Sequence, residues 1–250
     1  MSEVSLKIGG KIYGGWTGIR ISRSIEHLAG EFDLSLTDRY PSDNANLSIS
    51  GGMACSVQVD GETVITGYTD DYNPSFAGKS HEIAVSGRDV TGDLVDCSAV
   101  NKPGEWLGRK LDQIAADLAK PFGIPGITNT DIGDAFAKFR LEEGETVYEA
   151  LNRACAMRSV LPVSDGKGNL LITKPGTARA GVRLVEGKNI LSASAEYSAK
   201  DRYAQYIVKA QQPGSDQLDA DQSAHVRAEA KDAGVKRYRP LLILAEQSAD

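Results

Sequence analysis

The sequence predicts a mainly β chain carrying one small α/β insertion. Three observations lead there. Apolar and polar residues alternate in short runs through the first hundred positions, a spacing of four and three replaces that alternation after Pro103, and strand-like runs return from about residue 177. Period two marks a strand packed on one face, whereas a three-to-four period marks an amphipathic helix.

Val4, Leu6 and Ile8 alternate with Ser5 and Lys7 until Gly9 and Gly10 close the run. Ile19 with Ile21, and Phe32, Leu34 and Leu36 against Asp33, Ser35 and Thr37, repeat the pattern, while Ser24 to Ala29 has room for one helical turn. Leu47 with Ile49 makes a short pair stopped by Gly51 and Gly52. Cys55, Val57 and Val59 lead into Asp60-Gly61, a type I′ hairpin signal, and Val64-Ile65 resume beyond it. Ile83 and Val85 complete the series before Gly87. So many short runs in one stretch predict a small barrel or sandwich over residues 1–100.

A boundary is expected at residues 98–106, because Leu107, Leu111, Ile114 and Leu118 then form one apolar stripe on a helix that stops before Pro121. A second helix is expected from Thr146, which caps it with Glu149 closing a capping box, and its stripe is Val147, Leu151, Ala154 and Cys155. Val163 then enters a hairpin through Asp165 to Asn169 and returns along Leu170 to Ile172. Residues 101–175 are therefore read as an α/β insertion. In residues 176–250 a third part begins, with Tyr206 and Val208 alternating around Ile207, a polar loop at 211–225 and an apolar run from Leu241 to Leu244.

Composition narrows the function classes. Hydrophobic residues are 41% and charged residues 25%, ordinary for a folded chain. The start lacks a basic stretch followed by an apolar run, and no apolar run is long enough to span a bilayer, so neither a secretion signal nor stable membrane insertion is expected. The net charge of −6 is uneven: residues 1–100 carry seven basic and fourteen acidic side chains, and residues 101–250 carry twenty-one and twenty. No basic stripe is present to neutralise a phosphate backbone, which argues against specific nucleic-acid binding, although an acidic wall lets DNA slide past.

No constellation for chemistry assembles. His27, His81 and His225 are isolated, and Cys55, Cys97 and Cys155 have neither CxxC nor metal-site spacing. They read as buried thiols of a reducing compartment. Asp70 with Asp71, Glu142 with Glu143, and Asp89 with Asp93 can be drawn as carboxylate pairs, but such neighbours are expected among 34 acids. The glycine pairs, Gly14-Gly15 included, lack P-loop and dinucleotide spacing, and Asp43 to Asn46 lacks that of a calcium loop. No catalytic, cofactor-binding or metal-ligating residue is therefore assigned. Trp16, Trp106, Tyr197, Tyr203, Tyr206 and Tyr238 are read first as ordinary partly buried side chains and next as subunit contacts, ahead of a nucleotide-stacking platform.

A series of strings occurs in order along nearly the whole chain: Trp16 with the run from Ile21 to Glu26, Gly67-Tyr68, His81 to Ser98, Pro121 to Ile124, Gly144 to Leu151, Gly187 to Leu191, Tyr206 to Gln211 and Arg237 to Leu241. In this order they resemble the tail-protein family of Mu-like contractile phages, whose members form the central hub of the baseplate. The resemblance implies a trimeric ring in which each subunit supplies two related β-barrel domains, so that a pseudo-sixfold ring joins a sixfold tube to a threefold spike. It places a first β-barrel hub domain at 1–100, the insertion at 101–175 and the start of a second, incomplete barrel at 176–250. It further implies a homotrimer when complete, with the tail tube or a tube-adaptor, the central spike and other baseplate proteins as partners, located in the virion baseplate after assembly in the host cytoplasm. DNA would pass through without specific binding; part of the acidic balance of residues 1–100 would either face that channel or keep the outer face soluble, with Asp70 and Asp71 as candidates for either surface. No catalytic residue and no cofactor come with the resemblance. The rival readings are a β-rich carbohydrate or receptor-binding tail module and a small-molecule enzyme, marked respectively by aromatics in a shallow groove and by a deep pocket with convergent polar groups.

Overall fold

The computed structural model describes residues 3–37, 49–77, 80–179, 181–190, 192–210 and 226–244. Strands β1 (Val4–Ile8), β2 (Lys11–Tyr13), β3 (Gly18–Ser22), β4 (Glu31–Thr37), β5 (Ala54–Val59), β6 (Glu62–Ala77) and β7 (Ser80–Asp89) make a seven-stranded sheet in the order β2-β1-β5-β6-β7-β4-β3. All of its pairings are antiparallel. The expected alternation is there: Leu6, Phe32, Leu34, Val57, Ile65 and Val85 enter one core. The β5–β6 hairpin turns on Asp60 at φ 51° and Gly61 at φ 85°, the pair of positive angles that a type I′ turn requires. Ile49 joins this core from outside any strand, and its expected partner Leu47 lies outside the described residues. Ser24 to Ala29 forms no helical turn.

The barrel expectation is corrected here. The sheet is open, with β2 and β3 at opposite edges and no pairing between them. Alternation reports that one face is packed, but it is identical in an open sheet and a closed one, so closure was never encoded in it.

An α/β part follows directly, built from α1 (Gly92–Asp96), β8 (Glu105–Arg109), α2 (Leu111–Ala119), β9 (Gly126–Thr128), β10 (Phe136–Arg140), α3 (Val147–Ala156), β11 (Leu161–Ser164) and β12 (Leu170–Thr173). Strands β8 and β10 pair with each other, and β11, β12 and β9 form a three-stranded sheet. Helix α2 buries Leu111, Ile114, Ala115, Leu118 and Ala119, and α3 buries Val147, Ala150, Leu151, Ala154 and Cys155. Both sets follow the spacing i, i+3, i+4, i+7, i+8 of a core-facing helix. The capping box on α3 is as expected: Glu149 N–H donates to Thr146 Oγ1 at 3.2 Å, and Thr146 N–H donates to Glu149 Oε2 at 2.7 Å.

Leu107 does not belong to the helical stripe. It sits in β8 opposite Lys138 and is 64% exposed, because its neighbour Trp106 takes the inward face opposite Phe139. Adjacent strand residues point to opposite faces, so burying the indole turns Leu107 outward. Its four-residue distance from Leu111 imitated a helix across what is a strand-to-helix junction.

The chain forms two compact units, Met1–Gly176 and Thr177–Asp250. In the second unit, β13 (Gln205–Ala210) lies between β14 (Val226–Lys231) and β15 (Pro240–Leu244), antiparallel to the former and parallel to the latter. This open, mixed three-stranded sheet is neither a barrel nor a copy of the seven-stranded antiparallel one, which corrects the expected pair of related barrels. The polar stretch 211–225 lies outside the described residues.

Candidate assembly surfaces

The residues considered for catalysis are taken up by structure. Cys55 points from β5 into the first core, where burial and then the charge of Asp70 push its thiol pKa up to about 12. Burial alone pushes Cys155, on the inward stripe of α3, up to about 12. A thiol held protonated is a poor nucleophile and a poor metal ligand. Cys97, just after α1, is exposed, which corrects the reading of all three as buried. His27 is exposed, the side chain of His81 is not among those described, and His225 lies outside the described residues. Among the described residues no group of three or more His, Cys, Asp or Glu is placed to hold a metal ion.

The suspected carboxylate pairs are separated by their partners. At the β6–β7 bulge between Thr69 and Asp71, Asp70 is turned toward Arg88 and accepts from its Nε at 2.8 Å. The other side of that guanidinium reaches Asp96 on α1, with contacts of 3.1 and 2.7 Å. Hydrogen bonding to Asp96 and then Asp70 raises the Arg88 pKa, and the same bond from Arg88 holds Asp96 below the usual carboxylate range. Asp71 accepts from Ser86 Oγ at 3.4 Å. Asp89 is buried and accepts from the Gly30 and Thr91 backbone N–H groups. Glu142 and Glu145 share Arg153, and the Arg153–Glu145 pair is nearly enclosed, with side-chain exposures of 10% and 8%. Arg153 also lies over the Phe139 ring at 4.6 Å. Asp70, Asp96, Glu142 and Glu145 thus answer cations, Asp71 a hydroxyl, and Asp89 backbone N–H groups and the Thr91 hydroxyl.

Sequence reasoning missed Arg88, Asp96, Thr91 and Arg153. Arg88, Thr91 and Asp96 lie in the string from His81 to Ser98 that carries the resemblance, yet nothing local in it announces that Arg88 and Asp89 serve different partners on opposite faces of one strand. Two hollows are open to solvent. An open cleft of about 540 Å³ is lined by Gly52, Tyr68, Thr69, Asp70, Asp71, Arg88 and Asp93, and a groove beside β3 runs along Gly18, Ile19, Arg20, Asp33 and Ser35. Neither collects aromatic side chains as a carbohydrate groove does.

Among the described residues, the structure offers unpaired strand edges and exposed apolar surface. Among the described residues, no strand pairs with the outer edges of β2 and β3, where Ile12 and Ile19 are exposed. In the second unit, Tyr206 stands opposite Ala230 and Leu241, and Val208 opposite Ala228 and Ile243, so that all six share one apolar face, and none of them is buried. Of the large aromatics, Trp106 is a core residue whose Nε1 donates to Asp117 at 2.9 Å. Trp16 is half-buried against the first core, and Tyr203 meets Tyr206 edge to face. Tyr197 and Tyr238 stand out at 96% and 88% exposure. Unpaired edges and uncovered apolar faces are what assembling subunits carry, not what enzyme clefts are made of.

Comparison with known proteins agrees. A family described as Mu phage baseplate assembly protein GpP-like, N-terminal, matches residues 3–89, and one described as baseplate hub protein gp44-like, second domain, matches residues 91–174. Baseplate hub protein gp44 of Escherichia phage Mu is 36% identical over 252 residues, and the alignment covers 98% of this chain and 66% of the Mu protein. The chain thus spans slightly under two thirds of that relative's length. The crystal structure of the 43 kDa tail protein of prophage MuSo2 from Shewanella oneidensis matches at 42% identity with a TM-score of 0.85, covering 99% of this chain and 74% of that one. A tail protein from Neisseria meningitidis MC58 matches at 25% identity and a TM-score of 0.81, covering 99% and 72%. With both parts of the first unit matched to the family and the likeness running through nearly the whole chain, this protein belongs to the baseplate hub and tail protein family of Mu-like phages and prophages.

Proposed function

We propose that this chain is a structural subunit of the baseplate hub of a contractile, Mu-like tail, and that its role is mechanical rather than catalytic. The complete protein forms a homotrimeric ring that joins the tail tube, or a tube-adaptor protein, to the central spike and encloses the channel between them. DNA passes that channel without specific binding, and the protein resides in the virion baseplate after assembly in the host cytoplasm. The observation that carries this reading is the 42% identity to the MuSo2 tail protein along 99% of the chain. The open edges and the uncovered apolar face of the second unit support it, because both need neighbours. The acidic balance of residues 1–100 suits a wall past which a phosphate backbone must slide.

We divide the subunit into a first domain at 1–100, made of the large sheet followed by α1, whose Leu94 packs into the α/β core, an α/β domain at 101–175 and a third part at 176–250. The end of the second family match at residue 174 and the compact unit starting at Thr177 support the later division. The first is placed about ten residues beyond the point where the two family matches meet.

Measuring the mass of the complete protein across a range of concentrations, alone and with tube and spike proteins, tests the proposal. A trimer, alone or with those partners, is the expected result. A protein that stays monomeric at high concentration in their presence overturns the ring, and substrate turnover that disappears on a single substitution overturns the mechanical role.

A further inference from the structure

The two parts of the first unit meet at a polar knot centred on a buried carboxylate. Asp89, the last residue of β7, is 2% exposed. Its Oδ2 accepts from Gly30 N–H at 2.7 Å, and its Oδ1 accepts from Thr91 N–H at 2.9 Å and from the Thr91 hydroxyl. Thr91, which is fully buried, also reaches the Leu28 carbonyl at 3.3 Å. Main-chain bonds from Asp89 to Gly30 and from Val90 to Thr66 close the knot from both sides. The end of the interior strand β7, the loop before β4 and the start of α1 thus converge on one carboxyl group.

An apolar peg lies beside it. Leu28 precedes β4 in the chain, yet its side chain is buried in the α/β core with Leu94 and Leu111 and not in the core of its own sheet. Farther out, Arg23 donates to the Ser164 carbonyl at 3.0 Å. A buried carboxylate is tolerated only where donors surround it, and losing one leaves a costly unmatched group, so knots of this kind have essentially one arrangement. A loop would have sufficed to connect two independent domains.

We propose that the Asp89–Thr91 knot, with Leu28 as its peg, welds the seven-stranded sheet and the α/β part into one cooperative body, so that strain on either is transmitted to the other. The weld does not depend on the hub assignment, although a hub that passes on baseplate movement would use it. Hydrogen exchange on the 250-residue chain under increasing denaturant reads it out. The amides to follow are the slowest ones around Ile65 and Val85 in the sheet, and around Ile114 and Leu151 in the helices. Thr146→Ala, which touches only the α3 cap, should accelerate exchange roughly fivefold in both sets. In chains also carrying Asp89→Asn, or the milder Thr91→Val, the same change should accelerate the helical set alone. Acceleration confined to the helices in the otherwise unaltered chain overturns the proposal. So does equal spread to the sheet when the knot is broken, and Thr91→Val keeps the test open if Asp89→Asn fails to fold.

Discussion

Arg153 and Glu145 pair at 2.8 Å under the surface of the α/β part, whereas Arg88 and Asp96 pair at 2.7 Å in view of solvent. The distances are alike and the energetics differ, because water screens the second pair and hardly reaches the first.

Arg153→Met should therefore cost on the order of 3 kcal/mol, since Glu145 would keep a charge in a nearly dry position with its cation gone. Denaturant titration of both single variants and of the double variant with Glu145→Gln checks this. The double variant should recover part of the loss.

Asp96→Asn should cost at most about 1 kcal/mol at neutral pH, the scale of an exposed bidentate pair. Its sign with pH follows from the folded-state carboxyl lying below its unfolded value, chiefly because of the Arg88 hydrogen bond. The stabilisation is then complete above the ordinary Asp range and disappears as pH falls through the lower folded value. Stability curves of parent and variant should converge in acid and separate toward neutrality, and parallel curves would refute the assignment.

Leu111→Asp should cost on the order of 3 kcal/mol or more, because it puts an unpaired carboxylate at a fully buried position of α2. Leu107→Asp, four residues earlier on the exposed face of β8, should leave the melting temperature nearly unchanged. Together the two variants separate the true helical stripe from the imitation.

With a thiol reagent at neutral pH, Cys97 should react first and alone. Cys55 and Cys155, both buried and raised to about 12, should react only after unfolding. Mass spectrometry of the native and denatured protein distinguishes the three sites.

Thr146→Ala should lower stability by about 1 kcal/mol through loss of the α3 cap, and Thr146→Ser should retain most of it. Thermal unfolding of the two variants side by side is sufficient to check it.

What the sequence by itself determined was local. The alternation of Val4, Leu6 and Ile8, the positive-φ turn at Asp60-Gly61 and the Thr146–Glu149 box each depend on residues a few positions apart, so each could be read without a fold. The ordered strings from Trp16 to Leu241 carried the family in the same way, as a pattern along the chain. Tertiary structure alone decided the rest. Whether β2 meets β3 depends on the curl of seven strands, and no period-two signal records it. Leu107 faces water because Phe139, over thirty positions later, claims Trp106. Asp89 is buried because Gly30, almost sixty positions earlier, brings it a donor. A carboxylate's role is set by what surrounds it in space, and for Asp70, Asp89 and Asp96 those surroundings come from parts of the chain that only folding brings together.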